Sequence, residues 1–130
     1  MLTSRQRKRF DTLLESVLAE LPDEIHELLE TVPLVVDDYP PRWMLDEVGV
    51  DDPHDLCGLY SGIPLSQRSV MSDATMPETI SIFRAGILSL AQATARGDDE
   101  LRRQIRITVL HEIGHHFGMS EEDLAELGYD

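Results

Sequence analysis

Apolar residues recur along this chain with two different periods, and the periods divide it into helices and strands. Phe10, Leu13, Leu14, Val17, Leu18 and Leu21 fall at three- and four-residue steps. That spacing predicts an amphipathic helix over residues 3–20, capped by Thr3 or Ser4. Pro22 restarts the chain in the first turn of a shorter helix with Ile25, Leu28 and Leu29 facing inward. Val32-Pro33-Leu34-Val35-Val36 is a β-branched run and predicts the first strand, ended by Asp37, Asp38 and the Pro40-Pro41 pair. Residues 42–48 predict a helical turn that holds Trp43 and Leu45 against the core. Leu56 to Tyr60 reads as a second strand, and Ser61-Gly62 turns it into extended Ile63-Pro64. Residues 66–78 have no period and read as a loop. Thr79 to Phe83 alternates as a third strand. Arg84 to Ala95 carries a helical stripe that ends at Gly97. Asp98 caps a long helix running from about residue 99 to residue 117. Leu101, Ile105, Val109 and Ile113 form one stripe of it, with Ile107 and Leu110 on other faces, as expected of a central helix.

That central helix ends in His111-Glu112-Ile113-Gly114-His115-His116-Phe117-Gly118. A four-residue step is about 400° of helical rotation, so His111 and His115 leave the same face and converge. Zn²⁺ suits the pair, because it accepts neutral imidazole nitrogen and has no geometric demand from its d-electrons. Glu112 sits beside such a metal rather than on it, where it can take a proton from water activated by the ion. A third ligand requires the helix to break. In a continuous helix Glu121 would lie about 280° around from His111, on the wrong face. Gly118 can adopt positive φ and fold the chain back across the metal side. The layout is then H-E-x-x-H-x-x-G-x-x-E, with Glu121 at the third position and Glu122, Asp123 and Glu126 as alternatives. The same acidic run also suits helix capping, with Ser120 as N-cap and Glu121, Glu122 and Asp123 in the first turn. His116 points about 100° away from His115, which suits packing or support of the site better than ligation. Donors for a developing oxyanion are His116, Tyr60, Arg84 and Tyr129, none of which spacing alone can place.

The segment from His111 to Ser120, with the acidic run after it, resembles the small bacterial zincin-like metallopeptidase family, also described as minimal metalloproteases. Leu59-Tyr60-Ser61-Gly62-Ile63-Pro64-Leu65 and Pro77-Glu78-Thr79-Ile80-Ser81-Ile82-Phe83-Arg84 carry the resemblance further along the chain. The length of 130 residues fits one domain over residues 1–130, and the resemblance implies that it is α+β. In it a short three- to four-stranded mixed sheet packs on an active-site helix and N-terminal helices. The resemblance implies His111 and His115 as zinc ligands and Glu112 as catalytic; it names no target, and a peptide or protein substrate is expected from the hydrolase reading. It also implies an edge strand beside the active-site helix that pairs with the substrate, a role expected here of the third strand. The chain departs from larger metzincins: no third histidine follows the motif, and little chain remains after it.

Composition narrows the reading. The 130 residues carry a net charge of -14, which argues against nucleic acid and anionic membranes as partners. Arg5, Arg7, Lys8 and Arg9 are a local exception and read as a solvated helix face. Cys57 is the single cysteine, so no internal disulfide forms, and no apolar run reaches the length of a signal peptide or membrane span. A cytoplasmic protein is expected. The leading expectation is a zinc-dependent hydrolase of the metallopeptidase type. The alternative is a metal-binding regulatory or interaction module with little turnover, which small size favours and Glu112 disfavours. A metal-free scaffold with two core histidines is a third reading.

Overall fold

The computed structural model describes residues 1–62, 77–92 and 97–129. Expectations for Ile63-Pro64, for most of the 66–78 loop and for the end of the helix beyond residue 92 fall outside the described residues. Among the described residues the order is α1 (Ser4–Ala19), α2 (Asp23–Thr31), β1 (Leu34–Asp37), α3 (Arg42–Val48), a 3₁₀ turn (Pro53–Asp55), β2 (Gly58–Ser61), β3 (Thr79–Phe83), α4 (Arg84–Gln92), α5 (Asp98–His116) and α6 (Glu121–Leu127). This is the expected α+β class.

Thr3 caps α1 in a reciprocal box with Gln6, and Phe10, Leu13, Leu14 and Val17 bury its inner stripe. That stripe packs on α5, whose Leu101, Ile105 and Val109 are fully buried. The sheet has the order β1-β3-β2, with β1 parallel and β2 antiparallel to β3. Ile80, Ser81, Ile82 and Phe83 are all buried, the signature of a strand covered on both faces. β3 is therefore central, and the expectation that it offers the free edge is corrected: β2 is the edge beside α5. Phe83 N–H donates to the Cys57 carbonyl at 2.8 Å. Bonded pairs alternate along an antiparallel ladder, so Leu59 and Ser61 pair with β3 while the main-chain groups of Gly58 and Tyr60 face outward.

Two further expectations are corrected. Trp43 is 62% exposed, and Met44 joins Leu45 in the core instead. α3 starts after Pro41, and one residue step of about 100° puts Met44 on the inner face and Trp43 off it. Asp98 is the first residue of α5 rather than its cap. Gly97 takes the cap position, and the Asp98 carboxylate accepts from Arg9 Nε at 2.5 Å.

Arg84 opens α4 and is mostly buried. Its guanidinium grips both oxygens of Asp11 at 2.9 and 3.0 Å and reaches Asp38 at 3.0 Å, where Arg7 also binds. These pairs fasten α1 to the start of α4 and the end of β1. They also remove Arg84 from the candidates for an oxyanion donor.

Candidate metal centre

The end of α5 is closed by backbone geometry that only glycine adopts readily. Gly118 has φ 87°, its N–H donates to the His115 carbonyl, and the Met119 N–H donates to the Gly114 carbonyl. This is a Schellman closure, and it reverses the chain. Ser120 then caps α6 in a reciprocal box with Asp123. α6 packs back on α5 through Leu124, which is fully buried. The contact is made at Gly114, where a Cβ would run into Leu124 Cδ2. Close approach of the two helices is thus written into the motif by its glycine.

The reversal carries Glu121 over the two histidines. His115 Nε2 lies 3.1 Å from His111 Nε2 and 2.8 Å from Glu121 Oε1, and His111 Nε2 lies 3.2 Å from Glu121 Oε2. One ligand atom from each of His111, His115 and Glu121 falls within 4.8 Å of the others. Capping and convergence coexist: Asp123 serves the helix end while Glu121 faces the rings. Each imidazole is oriented from behind. His115 Nδ1 donates to the Met119 carbonyl at 3.1 Å, and His111 Nδ1 donates to the Tyr129 carbonyl. With Nδ1 spent on a carbonyl, Nε2 is left as a lone pair aimed at the cluster.

Glu112 is buried, and its Oε2 stands 4.0 Å from His111 Nε2, outside the converging group. Burial pushes its carboxyl above the ordinary value, against the pull of His111, His115 and the Tyr60 backbone N–H, while Glu121 pushes the same way as burial. The Tyr60 N–H is one of the outward groups on β2, so the edge strand holds this carboxylate in place. A Cβ on Gly58 would press on Glu112 Cγ at 3.2 Å and on Thr108 Cγ2 at 3.0 Å, so β2 lies against α5 as closely as a glycine permits.

A chain of buried and half-buried polar groups adjoins the site. Glu78 Oε2 accepts from the Tyr60 hydroxyl at 2.7 Å and from His116 Nδ1 at 2.5 Å, and the Tyr60 and His116 rings meet edge to face. His116 is 3% exposed. It supports the site from the core, as its angle on the helix implied. Glu78 had read as a loop residue, and nothing in its local spacing marks it; only the fold brings it to His116, 38 positions away. Tyr129 enters the site through its carbonyl, a group that sequence does not distinguish.

In front of the histidines is a cavity of about 700 Å³ lined by Val48, Val50, Leu56, Leu59, Tyr60, Met119 and the site residues. A family profile for zincin-like metallopeptidases matches residues 29–129. The chain belongs to that family. A comparison with curated proteins gave no match. For a zincin-like metallopeptidase the relevant metal is zinc, and the residues present fit it. Two imidazole nitrogens and a carboxylate are a zinc donor set, and tetrahedral bonds of about 2.0–2.1 Å would put two nitrogens about 3.3 Å apart. The pair here is at 3.1 Å. No helix among the described residues is long and apolar enough to cross a membrane.

Proposed function

We propose that the protein is a zinc-dependent peptide hydrolase in which His111, His115 and Glu121 hold the metal and Glu112 is the general base. One observation carries this reading. Two imidazole lone pairs and a carboxylate face one another at 2.8 to 3.2 Å, and a second carboxylate stands just outside them. Such a cluster of acceptors is balanced by a cation. Bound there, zinc would polarise a carbonyl and acidify water. The rest of the chemistry belongs to the chain. Glu112 accepts the proton of the attacking water and returns it to the leaving amine. Its raised proton affinity, set by burial, suits both halves of that task. The Tyr60 N–H restrains the carboxylate, and Glu78 with His116 restrains Tyr60. β2 lines the cavity through Gly58, Leu59 and Tyr60, where an extended peptide can meet its outward carbonyls, the Tyr60 N–H being engaged by Glu112.

Glu112→Gln tests the assignment. The variant should retain zinc at one ion per chain and lose hydrolysis of a quenched peptide library by about 10²–10⁴-fold. Loss of the metal along with the activity would make Glu112 a ligand or a structural group and end this mechanism.

A further inference from the structure

A second hollow, of about 210 Å³, opens on the other side of His111 and Glu112. It shares Gly58, His111 and Glu112 with the larger cavity, so the two meet at the reacting centre. Leu90, Ile107 and Thr108 line its sides, and Gln104 lines it seven residues before His111. Seven residues of α5 are about 10 Å, the reach of a long side chain. Whole-ligand sites are larger, roughly 300–1,000 Å³, so this hollow suits one side chain. Leu90 gives it exposed apolar surface: it is 49% exposed on a helix whose Ala85, Ile87, Leu88 and Ala91 are buried. Among the described residues, Asp55 on the 3₁₀ turn is the acidic lining group besides Glu112, and no arginine or lysine lines the hollow.

We infer that this hollow is a specificity pocket and that it takes a lysine or arginine side chain next to the bond that is cleaved. The aliphatic stem lies against Leu90 and Ile107, and the cationic head meets Asp55. A long basic side chain has this division between apolar stem and charged tip. The net charge of -14 favours the approach of the same class of substrate. The inference rests on the hydrolase reading for its place beside the scissile bond.

The test uses two peptides identical except for arginine or citrulline, an uncharged isostere, at the position next to the cleaved bond. The ratio of kcat/KM is measured with the zinc-loaded protein, and the ratio of Kd with Glu112→Gln, which does not turn the peptides over. Arginine should be preferred about fivefold in both, as a solvent-accessible ion pair allows. The preference should shrink with added salt and fall to near one in Asp55→Asn. Asp55→Lys should instead favour a glutamate peptide over its glutamine partner. Asp55 is exposed, and circular dichroism verifies that these variants fold. Equal handling of arginine and citrulline by the wild type, or an unchanged ratio in Asp55→Asn, would overturn the pocket. Cleavage without preference removes the pocket and leaves the hydrolase; preferential binding without any cleavage removes the hydrolase and leaves the pocket.

Discussion

At the scale of single residues, the site depends on side chains with separate tasks. Glu121 is 72% exposed along its side chain, so its removal should cost the fold little. Glu121→Ala should therefore weaken zinc binding without unfolding the protein. Loss of a supporting hydrogen bond to a ligand already costs about 10–100-fold, and loss of the ligand itself should exceed that. Zinc titration of chelator-stripped wild type and variant decides it; equal affinities would leave Glu121 with a helix-end role alone. Cys57 shows the opposite case, a residue placed near chemistry but kept out of it. Burial, with the charges of Glu112 and Asp55, pushes its thiol up to about 11. The thiol stays protonated at neutral pH and should alkylate slowly in the folded protein, as measured by mass spectrometry with and without denaturant.

At the scale of elements, α6 completes what α5 begins. It supplies Glu121 at its first residue and, just past its last, the Tyr129 carbonyl that orients His111. It meets α5 where Leu124 lies against Gly114. Gly114→Ala should shift α6 outward and lower zinc affinity about tenfold or more, in line with other displaced supports of metal ligands. Trimming the opposing side chain in Gly114→Ala/Leu124→Ala should recover part of that loss, although Leu124→Ala alone costs about 2–5 kcal/mol of stability as a cavity. No recovery in the double variant would show that the helix contact does not govern the metal. The helices themselves were legible in the sequence. The stripe Leu101, Ile105, Val109, Ile113 and the break at Gly118 appear where a 3.6-residue period and a glycine place them. The contact between Gly114 and Leu124 was not, because a small residue inside a helix has no periodic signal of what approaches it.

At the scale of the whole molecule, α1, β1 and α4 are tied by charge as well as by the apolar core. Partial burial works against ionisation of Asp38, but hydrogen bonds and charge from Arg7 and Arg84 outweigh it and hold the carboxyl below its ordinary value. A depressed pKa in the folded state contributes stability above the unfolded carboxylate range, lost as pH falls through the folded value. Asp38→Asn should thus lower stability at neutral pH by roughly 1 kcal/mol, limited by solvent around Arg7. The gap between wild type and variant should close as pH drops below the ordinary aspartate range. Denaturant melts at a series of pH values measure it, and a gap that widens in acid would contradict the network.

The sequence by itself determined most of the elements and the convergence of two histidines at the end of α5. Periodicity is local, so a stripe of leucines predicts a helix without knowledge of its neighbours, and a four-residue step brings two imidazoles together on any helix. The tendency of Gly118 to reverse the chain is local too. Order within the sheet is not local: β3 was expected at the edge and lies at the centre, because strand order depends on which chains pack over its two faces. Trp43 faces out for a related reason, since the phase of a seven-residue helix is set by what it docks on. The supports of the site, Glu78 behind His116, the Tyr60 N–H on Glu112 and the Tyr129 carbonyl on His111, come from distant segments and partly from main-chain groups. Every residue carries such groups, so sequence cannot mark the few that matter; only tertiary packing decides which carbonyl or amide arrives at the ring or carboxylate that needs it.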